Sequence, residues 1–512
     1  MAFSQVISAS IHGLTVDLVS VEADVSNGLP RFDMVGYLSN EVKEASERVR
    51  TAIANSGKNL LPKKIIVNLS PARIRKKGSS YDLPIAMSIL LSMQLLKSDR
   101  NKDILIIGEL GLDGDVKKVN GILPIVLEAK KRGIKKIILP YDNQKEGLIV
   151  SGIEIIGVQT LLEVCDYFDY GKYNKVQVSK DDNKNMINTS HPIVDFSDII
   201  GQEFVKRAAE VAVSGGHNLL LVGPPGSGKS MIASSIPSIL PTLDMEDSMD
   251  VTKVYSILGL LDEEHPLIDN PPFRSAHHTI TRSALIGGGV SPIPGEISLA
   301  HKGVLFLDEL AEFAKPVLEV LRQPMEERVI RISRSYRNVV YPSDFILVAA
   351  MNPCPCGNYP DFEKCTCSPN QITNYLSHIS QPILDRIDIC VEAPKVKYSD
   401  LKSERKGETS STIRERVIRT RKIQEERYRN LGIKENGRLS PKDLKKYCLL
   451  DKDSEKVMKE AYEMLSLTAR TYHKILKVAR TIADMDEKEC IELKHLKEAI
   501  GYRGIDKKYW GR

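Results

Sequence analysis

Residues 218–236, NLLLVGPPGSGKSMIASSI, decide the fold. Four apolar residues, Leu219–Val222, predict a buried strand. They run directly into Gly223, Pro224, Pro225, Gly226, Ser227, Gly228, Lys229 and Ser230, the G-x-x-x-x-G-K-[ST] spacing, and a helical pattern follows. A loop that wraps a triphosphate needs inward-facing amides and left-handed backbone, which glycine adopts without steric cost. Lys229 can then reach the β- and γ-phosphates, Ser230 can ligate Mg²⁺, and the helix start adds partial positive charge. The expectation is an ATP-binding loop on a parallel α/β sheet.

Working outward, KGVLFLDEL at 302–310 places four apolar residues, Val304–Leu307, before Asp308 and Glu309. A strand ending in two carboxylates beside a phosphate loop predicts Asp308 in the Mg²⁺ shell and Glu309 polarising the attacking water. A third apolar strand, FILVAAMN at 345–352, delivers Asn352 to the same sheet edge, where it can orient that water against the γ-phosphate.

The remaining chain sets the frame. At 512 residues it has room for three or four domains. From 1 to 170 short apolar runs alternate with helical patterns, predicting an α/β or α+β domain. The stretch 171–194, opening GKYNKVQVSKDDNKNMINT, is polar and aperiodic and predicts a linker. Residues 195–394 carry the phosphate loop, and 395–512 are helical and strongly charged. Lys plus Arg is 72 against 67 for Asp plus Glu, so a polyanion partner would have to be met by local clusters, such as RIRKK at 73–77. No apolar run is long enough to span a bilayer, and the first residues lack a basic segment followed by an apolar one; a cytoplasmic protein is expected. Cys165, Cys390, Cys448 and Cys490 are scattered and predict small buried hydrophobes. The other four, Cys354, Cys356, Cys365 and Cys367, form two C-x-C pairs eight residues apart. That set can bind Zn²⁺ tetrahedrally beside Asn352; reduced free thiols and a redox switch are the other readings.

With these motifs in hand, the chain resembles the AAA+ ATPases, Asn352 matching sensor 1. PFRSAHHTITRSALIGGG at 272–289, PGEISLAHKGVLFLDEL at 294–310, MNPCPCG at 351–357 and ILDRIDI at 383–389 narrow the resemblance to the magnesium-chelatase-like branch and its ComM/YifB family, over essentially the whole chain. The resemblance implies an AAA+ core with a helical lid, an insert near 258–270 and a β-hairpin, for which RVIRISRSYRNVVY at 328–341 is the candidate. In a ring, Arg328, Arg331, Arg334 and Arg337 would line a pore and grip DNA phosphates; a solvated basic hairpin is the plainer reading. The resemblance also makes Arg386 an arginine finger and Arg470 the sensor 2 residue. For Arg386 the structural alternative is an ion pair with Asp385 or Asp388. His277 and His278 match a family element, but no role follows from sequence.

Residues 62–140 are similar to the proteolytic domain of Lon proteases, through IIVNLSPARIRKKGSSYDLPIAMSILLS and IGELGLDGDVKKVNGILPIVLEAKKRGIKKIILP. Matching places Asp82 at the nucleophilic serine and Leu123 at the lysine, and neither supplies that chemistry. A Lon-like (S5-type α+β) domain without protease activity is expected. The implied function is an ATP-driven, hexameric homo-oligomeric ring acting on single-stranded or branched DNA, as in branch migration during recombination or natural transformation. The alternative is a chelatase-type motor that remodels a partner for Mg²⁺ insertion into a porphyrin.

Overall fold

The computed structural model describes residues 2–97, 103–173, 194–289, 292–334, 337–396, 407–465 and 467–510. The linker residues 174–193 lie outside the described residues. The chain divides into two compact units, one of Met1–Asn188 with Ser248–Ile268, the other of Thr189–Asp247 with Asp269–Arg512. The regions 195–394 and 395–512 thus fall mostly in one unit, while segment 248–268 is counted with the N-terminal one.

The N-terminal unit is built on a seven-stranded mixed sheet, in the order Arg31–Val35, Lys64–Ser70, Thr15–Ser26, Ala2–His12, Ile104–Ile106, Lys136–Pro140, Glu154–Val158. A long antiparallel hairpin, registered from Ala2↔Val25 to His12↔Thr15, turns at Gly13 with φ 62°. Ile7 of the hairpin pairs in parallel with Leu105, joining the hairpin to the three parallel strands on its other side. Helix Asp82–Ser92 is buried at every residue, consistent with its largely apolar sequence, and packs in one core with helices Ala45–Asn55 and Leu161–Tyr170. Helix Ile122–Lys131 closes a second core, and Leu123 is fully buried there.

Asp82 begins the buried helix with no exposed side-chain surface, held by Arg48 Nε at 2.8 Å and Nη2 at 3.0 Å. The positions of the Lon-type dyad are therefore filled by one half of an ion pair and by a core leucine. The basic run at 73–77 is not a continuous surface patch. Lys76 bridges to Leu38 as a short strand pair, so its side chain turns fully inward and donates to the Pro71 carbonyl, whereas Arg73 stays exposed.

Segment 248–268 is tied into this unit by specific bonds. Ser256 Oγ donates to Glu146 at 2.6 Å, the Gly121 amide donates to the Ser256 carbonyl at 3.0 Å, and Lys118 and Lys145 meet Glu263 and Glu264.

In the second unit five strands, all parallel, run in the order Phe273–Ala276, Val304–Leu307, Ile346–Met351, Leu219–Val222, Ile389–Glu392. The three central strands are buried throughout, as expected for a parallel sheet covered on both faces. Helices Glu203–Gly215 and Lys229–Ile239 share one apolar core with the C-terminal helices Ser410–Tyr428 and Ala469–Met485. Val329–Arg334 and Arg337–Pro342 form the expected antiparallel hairpin. No described helix is long and apolar enough to cross a membrane.

His217, at the entry to the phosphate-loop strand, is completely buried with Nε2 2.8 Å from Thr481 Oγ1. Burial pushes its imidazole down to about 4. The unfolded chain takes up this proton near about 6.5, so the stability His217 contributes is complete above that pH and is lost as pH falls through about 4. Urea unfolding followed by the fluorescence of Trp510, the sole tryptophan, should show a falling midpoint from about pH 7.5 to about pH 5. The fall should be shallower in His217→Gln; an equal fall would assign the effect to other groups.

Candidate nucleotide-binding site

Four neighbouring parallel strands end at one edge of the sheet, the edge at which ligands bind in open α/β folds. Val222 leads into the loop 223–230, Met351 into Asn352, Leu307 into Asp308 and Glu309, and Ala276 into His277 and His278. The register Val222↔Met351, Leu307↔Ala349 and Ala276↔Leu307 sets these side chains alongside one another.

Three loop glycines are required, for two different reasons. Gly226 and Gly228 lie in the left-handed region, at φ 74° and 83°, in open space, so backbone freedom is what they supply. Gly223 passes so close to Ala393 that a Cβ would collide with its carbonyl oxygen. Lys229 is nearly buried and donates from Nζ to the carbonyls of Gly223 at 2.8 Å and Pro224 at 2.9 Å, and to Asn352 Oδ1 at 3.2 Å. Burial pulls its ammonium below the usual lysine value, against the opposing charges of Asp308 and Glu309. Ser230 Oγ donates to Asp308 Oδ2 at 2.7 Å. A hydroxyl and a carboxylate this close at the loop's end are the oxygen donor types that Mg²⁺ selects, so the residues fit the ion.

Glu309 sits at φ 54°, a left-handed conformation that a non-glycine residue keeps only when its surroundings enforce it. His278 Nδ1 lies 3.0 Å from its carboxylate, a charge contact once the imidazole is protonated, though off the line of a hydrogen bond. His277 stacks on His278 with centroids 4.0 Å apart. The histidines without a role in the sequence therefore stand at the acidic pair. The signal was available: they follow a strand paired with Val304–Leu307, and His278 is two residues beyond Ala276 just as Glu309 is two beyond Leu307.

Other residues lie apart from this edge or are otherwise engaged. Arg386 is only 9% exposed and pairs with Glu326 at 2.5 Å, while its Nη1 donates to the Pro382 carbonyl. Neither Asp385 nor Asp388 is its partner: Asp385 accepts from Gln381, and Asp388 accepts from the Asn218 amide and pairs with Lys474. Arg470 is exposed on the first turn of helix Ala469–Met485. Arg328 is drawn to the hairpin's base, 3.4 Å from Asp344, where burial and neighbouring Arg438 push its guanidinium down to about 10. This fixes it as a structural charge rather than part of an exposed row. Arg331 is 59% exposed, with Glu327 its ion-pair partner at 3.6 Å. The backbones of Arg334 and Arg337 pair at the hairpin tip; their side chains, and residues 335 and 336, lie outside the described residues.

The four cysteines do converge. Cys354, Cys356 and Cys365 place their sulfurs 3.4, 3.6 and 3.8 Å apart, and Cys367 completes a group within 4.8 Å.

The fold and this edge define the P-loop class of AAA+ ATPases, which use ATP and Mg²⁺. Three family descriptions match the chain: "Magnesium chelatase, subunit ChlI" over residues 195–401, "Subunit ChlI of Mg-chelatase" over 21–143, and "Magnesium chelatase, subunit ChlI C-terminal" over 407–503. The chain is 40% identical over 507 residues to the competence protein ComM of Haemophilus influenzae, covering 99% of this chain and 98% of that one. It is 39% identical over 508 residues to YifB of Escherichia coli K12, with the same coverage. A shorter match, 32% over 146 residues, joins 27% of the chain to 26% of Lon protease 2 of Bacillus subtilis. The chain belongs to the ComM/YifB family of magnesium-chelatase-like AAA+ proteins.

Proposed function

We propose that this protein is an ATP-hydrolysing ring motor that moves along or remodels DNA, migrating branches of recombination intermediates. The observation that carries the ATPase half is the single sheet edge that gathers Lys229, Ser230, Asp308, Glu309 and Asn352. The loop 223–230 would bind the triphosphate through its amides and Lys229. Ser230 and Asp308 would hold Mg²⁺, which neutralises charge developing on the phosphates. Glu309 would accept the proton of the attacking water, and Asn352 would help place that water. Arg386 would serve a neighbouring subunit in a hexameric ring, exchanging Glu326 for the neighbour's γ-phosphate, and Arg470 would act as sensor 2.

The DNA half is supported by the hairpin at 329–342, with Arg331 exposed on its first strand, and by the name of the competence relative. Such a hairpin presents cations to phosphates without reading sequence. The sulfur cluster fits a zinc ion, and the missing dyad at Asp82 and Leu123 speaks against proteolysis.

The test compares ATP turnover with four-way junctions, forked DNA, porphyrin plus Mg²⁺, and unfolded protein, with Glu309→Gln as the inactive control. Junction or forked DNA should stimulate turnover, and Arg331→Ala should weaken that stimulation and flatten its salt dependence. Stimulation by porphyrin alone would favour the chelatase-type motor, and indifference to every DNA would overturn the proposal.

A further inference from the structure

The cysteine loop begins two residues after Asn352 and returns at Pro369, where the next helix starts. A tetrahedral thiolate site with arms of about 2.3 Å has edges of about 3.8 Å, and the observed separations of 3.4 to 3.8 Å lie close to that. The loop is pre-shaped around the sulfurs: the Tyr359 amide donates to Cys354 Sγ at 3.3 Å, and Asn358 Nδ2 donates to the Cys356 carbonyl at the same distance. Such outer bonds, to a ligating sulfur and to the backbone that carries one, orient a metal site.

The cluster also leans on the phosphate loop. Gly357, directly after Cys356 and at φ 79°, lies so near Pro225 that a Cβ would overlap the proline ring. At the loop's other root, Asn352 Oδ1 receives Lys229 Nζ. One short segment therefore touches the phosphate loop at both Pro225 and Lys229, and Cys354 and Cys356 lie between these contacts along the chain.

We infer that the four thiolates bind zinc and that the ion braces the phosphate loop, so that metal occupancy sets nucleotide affinity. The inference rests on the nucleotide-site reading and adds a control to it. Without the ion, the sulfurs take up protons and no bond ties the four of them to one another. The loop then opens, and both Pro225 and the Asn352–Lys229 contact lose their support.

The full-length protein is purified from zinc-supplemented cells, and its metal is measured by mass spectrometry. Half is stripped with a zinc chelator, which is then dialysed away, and Mg²⁺ is restored. Binding of a fluorescent ATP analogue and circular dichroism are recorded for both halves. About one zinc per chain is expected, and the stripped protein should bind nucleotide about tenfold more weakly, equivalent to about 1.4 kcal/mol, and recover on zinc return. Cobalt replacement should give the intense thiolate-to-metal absorption of a four-sulfur site.

Gly357→Ala tests the brace apart from the metal: zinc should be retained while affinity falls. Cys490→Ser, at an exposed cysteine outside the cluster, should match the native protein. Folded protein purified without metal would overturn the inference, as would stripped, folded protein that binds nucleotide as tightly as the native. Zinc-loaded protein that binds no nucleotide would instead overturn the nucleotide-site reading, and the brace with it.

Discussion

Glu309→Gln is expected to slow ATP turnover by about 10²- to 10⁴-fold while nucleotide binding stays close to native, because a positioned general base contributes on that scale. Glutamine keeps the length and packing of the side chain and removes only the capacity to take a proton. On the proposed reading, binding would rest elsewhere, on the Lys229 ammonium, the loop amides and the Ser230–Asp308 pair 2.7 Å apart. Lys229→Ala should therefore show the complementary defect, losing affinity before turnover can be measured. Phosphate release and fluorescent-nucleotide titration separate the two. A glutamine variant that hydrolyses within about tenfold of native would remove Glu309 from the chemistry.

The environment of Glu309 sharpens that expectation. Its left-handed backbone and the His278 contact at 3.0 Å leave the carboxylate directed at an imidazole as well as at the sheet edge. In this conformation the group that should receive a proton from water already has a neighbour. The phosphate loop, Asp308, Glu309 and Asn352 were legible in the sequence because each is set by local order: an apolar strand, then the functional side chain at its end. The His278–Glu309 contact was not, since it depends on which strands become neighbours and in what register, and that is decided by packing. The same physics hid the partners of the arginines. Arg386 finds Glu326, sixty positions away, although Asp385 and Asp388 are nearer in sequence, because those two carboxylates are claimed by Gln381, the Asn218 amide and Lys474. Arg328 reads as one of a repeating row, yet Asp344 at the foot of the hairpin captures it. The family resemblance placed an insert near 258–270, but that 248–268 belongs with the N-terminal unit was not legible, since its bonds to Lys118, Lys145 and Glu146 span more than a hundred residues.

The largest loss of stability is expected from Asp484→Ala. Its carboxylate has no exposed surface and gathers Arg480, through Nε at 3.1 Å and Nη2 at 2.9 Å, Arg427, through both guanidinium arms, and Asn436 Nδ2 at 2.8 Å. Arg480 is itself 2% exposed, so it cannot turn to water when its partner is removed. Replacing one member of a buried ion pair leaves an uncompensated charge, at a cost of about 3–5 kcal/mol. Here two guanidinium groups are affected, and the carboxylate ties helix Ser410–Tyr428 to helix Ala469–Met485 within the core that also holds the phosphate-loop helix. Urea unfolding followed at Trp510 should thus lose a large part of its free energy, with the unfolding slope unchanged. Asp484 touches neither the phosphate loop nor Glu309, so the fraction that remains folded at low temperature should hydrolyse ATP at the native rate. A variant as stable as native would mean that the two arginines find other partners, whereas a stable variant with slowed hydrolysis would give this cluster a part in the chemistry.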